Sequence, residues 1–367
     1  MRLVLTGGGT GGHIYPALAI GREAAEREPD SSLLYIGTTK GLESRIVPNQ
    51  GIPFESIDIT GFRRSLSMEN VKTVVRFLQG VKRSKELLRS FKPDAVVGTG
   101  GYVCGPVVYA ASRLGIPTLI HEQNVVPGLT NKFLSRYADA VAVSFADSLP
   151  HFSGKRNVLH AGNPVASMVA KANRSEGFKS LGLPEGTPFV LAVGGSRGAQ
   201  ALNEAILEML PGLESLADVH FVFVTGERYY EEALARLQEL PAKVKGRVHA
   251  LHYINNMPEV LSAASLVVSR AGASSLAEIT SLGIPSILVP SPNVTNNHQQ
   301  PNAESLAVAG AAVMILEKDL NGGALLSNLS AIMKDRSRRE AMAVAARKLG
   351  MPKAASAIYE QIKGILK

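Results

Sequence analysis

The chain has 367 residues, more than one ordinary core holds and the usual length of two domains. Apolar residues make up 45% and charged residues 19%, a normal globular balance, and the single Cys104 excludes an intrachain disulfide and a thiolate metal cluster, which fits a reducing compartment. A net charge of +8 calls for an acidic partner, yet aromatic residues are only 5% and no base-stacking motif accompanies the charge, so nucleic acid is not expected.

The amino terminus runs from the short apolar strand Arg2–Thr6 directly into the glycine loop 7–12 and then a helix, with no basic segment, long apolar stretch or cleavage site of a secretion signal. The loop Gly7-Gly8-Gly9-Thr10-Gly11-Gly12-His13 contains GxGxxG, whose glycines let backbone N–H groups approach a diphosphate at a helix N-terminus. A nicotinamide dinucleotide is disfavoured, because the second strand ends Ile36-Gly37-Thr38 and carries no acid for the ribose. A nucleoside-triphosphate loop fails as well, since His13 stands where a lysine is needed. A bare strand-to-helix turn needs fewer glycines than these, so phosphate binding is the expectation.

The surplus charge is concentrated in 61–92, where nine basic residues (Arg63, Arg64, Lys72, Arg76, Lys82, Arg83, Lys85, Arg89 and Lys92) face only Glu69 and Glu86. Phe62, Leu66, Met68, Val71, Val74, Val75, Phe77, Leu78, Val81, Leu87, Leu88 and Phe91 are interleaved with them. A solvated helix over a core and a surface for anionic lipid headgroups both fit, and a companion exposed apolar patch would distinguish the second. The richest apolar run, 95–120, is broken by Gly, Pro and Arg113, so no membrane-spanning helix is expected.

Two more glycine- and amide-rich loops follow strands in this half: Thr99-Gly100-Gly101-Tyr102-Val103-Cys104 and Glu122-Gln123-Asn124-Val125-Val126-Pro127-Gly128. The order then repeats. Phe189–Val193, the loop 194–198 and a helix mirror the amino-terminal unit, and Gly115-Ile116-Pro117-Thr118-Leu119-Ile120 has its counterpart in Gly283-Ile284-Pro285-Ser286-Ile287-Leu288. Each half is therefore a doubly wound α/β domain with a parallel sheet. The expected division is 1–163 and 164–340, with its boundary at Asn163-Pro164, a loop at 174–188 leading into the second half, and a final helix at about 341–367 packing back on the first domain.

Ligands of such sheets sit beyond the carboxyl ends of the strands. In the second half, Gly194-Gly195-Ser196-Arg197-Gly198 and Arg270-Ala271-Gly272-Ala273-Ser274-Ser275-Leu276-Ala277-Glu278 offer two anion-binding helix starts. Ser275-x-x-Glu278 also reads as a capping box, in which the carboxylate merely satisfies a backbone donor. The run Asn296-Asn297-His298-Gln299-Gln300-Pro301-Asn302 combines turn residues with amides able to bond sugar hydroxyls.

The motifs GGGTGGHIYPALA, GTGGYVCGP, HEQNVVPGLTN, GNPV, GGSRGAQALN, SRAGASSLAEI and NHQQPNA, in this order along both halves, resemble the MurG family. The resemblance implies the GT-B fold, two Rossmann-like domains whose parallel sheets face an interdomain cleft. It further implies inverting transfer of N-acetylglucosamine from UDP-N-acetylglucosamine to the 4-hydroxyl of undecaprenyl-diphospho-muramoyl-pentapeptide, on the cytoplasmic face of the bacterial plasma membrane, in peptidoglycan synthesis alongside other cell-wall proteins. By position it assigns Thr10, Gly11 and Gly12 to the donor sugar and acceptor diphosphate, and Gly100, Gly101 and Tyr102 to an acceptor loop. Asn124 falls on a donor contact, Ser196 on a phosphate contact, and the Ile254 backbone on uracil. Ala273, Ser274, Ser275, Leu276, Ala277 and Glu278 form the helix start with Glu278 on the ribose, and Gln299 and Asn302 lie near the N-acetylglucosamine. Ala166 stands where some relatives carry an arginine donor contact, and Asn296 where many carry aspartate.

An inverting transfer needs a base for the acceptor hydroxyl and stabilisation of the departing UDP. His13 is the first choice of base, with His121 and Glu122 in reserve. Helix N-termini supply partial positive charge to the diphosphate, so no metal is obligatory, and no isolated Asp-x-Asp is present to demand one; a supporting Mg ion remains compatible. Alternatives are another UDP-sugar transferase making a glycolipid, a nicotinamide oxidoreductase, and a non-catalytic UDP-sugar-binding protein.

Overall fold

The computed structural model describes residues 1–61, 68–155, 157–195 and 198–366. The chain packs as two units, 1–167 with 352–367, and 168–351. The first is a seven-stranded sheet of β1 (Arg2–Thr6), β2 (Ser32–Gly37), β3 (Phe54–Ser56), β4 (Ala95–Gly98), β5 (Thr118–Glu122), β6 (Ala140–Val143) and β7 (Val158–His160), in the order β3-β2-β1-β4-β5-β6-β7. The second is a six-stranded sheet of β8 (Phe189–Val193), β9 (His220–Val224), β10 (Val248–Leu251), β11 (Leu266–Ser269), β12 (Ser286–Leu288) and β13 (Ala312–Met314), in the order β10-β9-β8-β11-β12-β13. The described strand pairs are all parallel.

The apolar runs follow from this burial on both faces. In β1, Leu3 and Leu5 join one core with Tyr35, Val97, Leu119 and the helix Gly11–Arg27, while Val4 joins another with Ile36, Val96, Ile120 and Val107. In the second unit Val190, Ala192, Phe221, Phe223, Val268 and Ile287 pack under Leu202, Ile206, Leu325 and Leu329. The internal repeat is visible in the topology: the chain reverses direction of growth between β1 and β4 in one sheet and between β8 and β11 in the other. Loops after these strands lie at the switch point where doubly wound sheets bind ligands.

Two expectations need correcting. The segment 174–188 is not only a loop, because Asn173 Oδ1 accepts from Ser175 N (3.0 Å) and starts the helix Arg174–Ser180, which packs so closely on the helix Met257–Ala263 that a Cβ on Gly177 would lie 2.2 Å from the Glu259 carbonyl oxygen. The carboxyl-terminal segment is two helices, Arg336–Leu349 within the second unit and Ala354–Ile365 on the first, separated at Gly350-Met351-Pro352. Proline restricts the residue before it to extended backbone, which ends the helical run. The last helix packs on Gly11–Arg27, and its Tyr359 and Lys363 donate to Glu28 Oε1 at 2.6 and 2.9 Å.

Candidate active site

In the first unit the loops after β1, β2, β4 and β5 form one polar cluster. The helix Gly11–Arg27 starts after Thr10, which lacks a side-chain cap bond, and no acidic residue occupies its first turn, so the partial positive charge of this helix start is not offset by an acid of its own first turn. His13 is half-buried in that turn, with Nδ1 2.8 Å from the Gly8 carbonyl oxygen and 3.4 Å from Thr10 Oγ1. A carbonyl oxygen only accepts, so Nδ1 carries the proton, and Nε2 is the lone-pair nitrogen of the neutral ring.

The loop after β4 packs against this turn. Gly8 N donates to the Gly100 carbonyl (3.2 Å), and Thr99 Oγ1 donates to the His13 carbonyl (2.7 Å). Gly100 has φ +109° and would place a Cβ 2.8 Å from His13 Cδ2; Gly101, at φ +82°, would place one 2.3 Å from the Gly8 carbonyl oxygen. Glycine is required at both for this approach. Tyr102 is exposed beside Gly9, and its phenol is held above its usual range by partial burial and then by the Glu43 charge.

Both reserve bases are buried and already hydrogen-bonded within the fold. His121 is fully buried, its Nε2 donating to the Gly162 carbonyl (3.0 Å) and its Nδ1 accepting from Gln123 Nε2 (3.0 Å), and burial pushes it down to about 4. Glu122 is likewise buried. Its Oε1 accepts from Asn124 N (2.9 Å) and Asn124 Nδ2 (3.3 Å), and its Oε2 from Gly128 N (3.1 Å) and Asn131 Nδ2 (2.8 Å). Both residues shape the loop that presents Asn124.

Glu43 was not anticipated. It is fully buried under the glycine loop, where Oε1 accepts from Thr38 N (3.1 Å) and Thr38 Oγ1 (2.7 Å), and Oε2 accepts from Gly9 N (3.2 Å). The only sequence signal was a Thr-rich turn after β2 followed by an acid, and it acquires meaning once β2 is known to flank β1.

In the second unit Ser196 lies outside the described residues, as do Phe62, Arg63, Arg64 and Leu66 of the basic segment. The helix Ala273–Leu282 begins after Gly272, again with no side-chain cap and no acid in its first turn. Ser275 is therefore the third helical residue and cannot be an N-cap, which removes the capping-box reading. Glu278 is partly buried and has no hydrogen-bond or ion-pair partner among the described residues; burial pushes its carboxyl up to about 7. Ser274 Oγ is buried without a partner among the described residues, whereas Ala273 and Leu276 face the core. Ala277 is half-buried beside Glu278.

Gln299 uses its carbonyl oxygen to accept from Ala271 N (3.3 Å) and Ser291 N (2.9 Å), which leaves its amide hydrogens available as donors. Asn302 is fully buried and donates to the Ala271 carbonyl (3.3 Å), holding the loop before the helix in place instead of standing at its surface. Asn296, in the left-handed region at φ 57°, precedes them in a turn. Ile254 anchors the loop after β10 by its buried side chain, beside exposed Tyr253, and Ala166 is buried. On the helix Met68–Phe91, Val81, Leu87 and Leu88 are buried, while Val74, Val75 and Leu78 are exposed together with Lys82, Arg83 and Arg89.

Residues 3–143 match the glycosyltransferase family 28 N-terminal domain, and residues 189–358 match its C-terminal domain. A UDP-N-acetylglucosamine--N-acetylmuramyl-(pentapeptide) pyrophosphoryl-undecaprenol N-acetylglucosamine transferase from Halalkalibacterium halodurans is 53% identical over 367 residues, all of both chains. The enzyme of the same name from Listeria monocytogenes is 50% identical, also over all of both chains. MurG of Acinetobacter baumannii shares the fold at a TM-score of 0.79 and 30% identity, over 99% of each chain. The chain belongs to the MurG family of glycosyltransferases. Membership accounts for two parallel sheets of this topology, and the family fold extends further: UDP-GlcNAc 2-epimerase from Neisseria meningitidis, bound to UDP-GlcNAc, has a TM-score of 0.71 at 15% identity over 99% of this chain and all of that one. For a MurG family member no helix among the described residues is long and apolar enough to cross a membrane, and no cluster of three or more His, Cys, Asp or Glu among them is arranged to hold a metal.

Proposed function

We propose that the chain transfers N-acetylglucosamine from UDP-N-acetylglucosamine to the muramyl 4-hydroxyl of undecaprenyl-diphospho-muramoyl-pentapeptide with inversion at the anomeric carbon. The observation that carries this is 53% identity over the whole length of a relative so named. The site geometry agrees with it. Glu278, partnerless among the described residues, accepts the ribose hydroxyls, the start of Ala273–Leu282 and the loop with Ser196 meet the diphosphate, the Ile254 backbone meets uracil, and the Gln299 amide donates to the sugar.

On the acceptor side, the N–H groups at Gly11 and Gly12 take the lipid-linked diphosphate, and the loops carrying Asn124 and Tyr102 hold the sugars. His13 Nε2 removes the 4-hydroxyl proton as that oxygen bonds to C1; the C1–O bond breaks with its electron pair going to UDP, and helix N-termini receive the added charge. The exposed Val74, Val75 and Leu78 beside Lys82, Arg83 and Arg89 supply the apolar companion that a surface for anionic headgroups needs, which supports the reading of a peripheral enzyme at the cytoplasmic face of the plasma membrane. No metal is required by this scheme.

The test is transfer of labelled N-acetylglucosamine from its UDP donor to a soluble-chain analogue of the muramyl lipid, with a diacylglycerol acceptor in parallel and EDTA in duplicate samples. The expected result is transfer to the muramyl acceptor alone, unchanged by EDTA. Transfer to diacylglycerol alone would replace the substrate assignment, and loss with EDTA would reject the metal-free scheme.

A further inference from the structure

We propose that Glu43 is a positioning residue that acts on His13 through the peptide unit between Gly8 and Gly9. This rests on the reading of His13 as the base. The Gly8 carbonyl and the Gly9 N–H belong to one planar amide. On one side Glu43 Oε2 accepts from Gly9 N (3.2 Å), and on the other the Gly8 oxygen accepts from His13 Nδ1 (2.8 Å). The connection is a continuous chain: carboxylate, amide, imidazole.

Each link strengthens the next. An amide whose N–H is bonded to a carboxylate has a more negative carbonyl oxygen, and hydrogen bonds in series polarise one another in a low-dielectric interior. The more negative oxygen holds the Nδ1–H tautomer of His13 and favours the imidazolium formed when Nε2 takes a proton. This is the work a carboxylate does for a catalytic histidine in direct contact, performed here through one peptide because the glycine loop lies between the two groups.

The burial of Glu43 supports the assignment. Taking a carboxylate out of water is unfavourable unless donors surround it, and here three donors do: Gly9 N, Thr38 N and Thr38 Oγ1. The space is dedicated as well, since a Cβ on Gly8 would lie 2.7 Å from Glu43 Oε1 and one on Gly41 2.2 Å from it. Of the other titratable groups around this loop, burial holds the Tyr35 phenol well above its usual value and the Cys104 thiol at about 12, the Tyr102 phenol is also raised, and His121 and Glu122 lie on the neighbouring loop after β5 with their own hydrogen-bond partners. Glu43 is the carboxylate bonded to the peptide that His13 Nδ1 shares.

The experiment is histidine imidazole 15N NMR on the full chain as a function of pH, with the His13 signal assigned by its loss in His13→Gln, beside steady-state kinetics. Glu43→Gln replaces one oxygen by an NH₂ group that must face a donor and removes the charge. The expected result is a fall in the His13 pKa on the order of one unit, the same shift of the acidic limb of kcat, and kcat lower by about ten- to hundredfold with the donor KM little changed. An unchanged His13 pKa in a folded Glu43→Gln protein would overturn the proposal.

A second measurement needs no variant: in the wild-type chain the Gly9 amide proton should titrate with the same midpoint as His13. Absence of that inflection, or an Nε2–H tautomer for His13, would equally overturn it. If His13→Gln keeps its turnover, the base reading fails separately, while the NMR coupling still judges the link between Glu43 and His13.

Discussion

Glu278 carries opposite expectations for stability and for binding, and Glu278→Gln separates them. Its carboxyl sits at about 7 through burial, above the ordinary 4.5 it regains on unfolding. Between these values the folded chain retains a proton that the unfolded chain has released, so stability falls as pH rises from 4.5 through 7 and then levels off. Two and a half pH units correspond to at most about 3 kcal/mol of destabilisation above neutrality. Glutamine has the same shape and no charge to desolvate. The variant should therefore match the wild type at pH 4.5 and exceed it at pH 8.5 by up to that amount in chemical denaturation. UDP binding should move the other way. If ribose hydroxyls donate to the carboxylate, wild-type affinity for UDP weakens about tenfold per unit below pH 7, and the variant binds weakly at every pH. A variant no more stable than the wild type at pH 8.5 would refute the buried-carboxylate argument, and unchanged UDP affinity in calorimetry would remove Glu278 from the ribose.

His13→Ala should lower turnover by about 10²- to 10⁴-fold with donor affinity little changed, as expected for loss of a general base; near-normal turnover would reject the role, and the buried geometry of His121 and Glu122 makes them poor replacements. Gly100→Ala places a methyl group 2.8 Å from the His13 ring at φ +109°, so kcat should fall while UDP binding, proposed above to lie in the second unit, should stay intact; wild-type kcat would show that the ring position is not critical. Binding to anionic vesicles should decline with salt and drop on Lys82→Glu with Arg83→Glu, and also on Val74→Ser with Leu78→Ser. Equal binding to neutral vesicles would exclude the electrostatic part.

Much of the architecture was legible in the sequence because parallel strands buried on both faces must be continuous apolar runs, and the loops that follow them at a switch point must be rich in glycine. The repeat of Gly-Ile-Pro before β5 and β12, each glycine in the left-handed region (φ +71° and +67°), is a local signal that needs no tertiary context. The glycine loop, the helix starts and the order of motifs were readable for the same reason.

Which polar side chains are taken up by hydrogen bonds within the fold was decided only in three dimensions. His13, His121, Glu122 and Glu43 are equally polar in one dimension. Strand order buries His121 and Glu122 among backbone donors and acceptors, leaves His13 in the first turn of its helix, and brings Glu43, from the neighbouring loop after β2, beneath the Gly8–Gly9 peptide. The same holds for Ser275 and Glu278, whose spacing matches a capping box until the helix is seen to begin at Ala273. Periodicity and motif reveal what the backbone will do, because that is local. Desolvation and hydrogen-bond partners depend on which strands become neighbours, and no spacing along the chain contains that information.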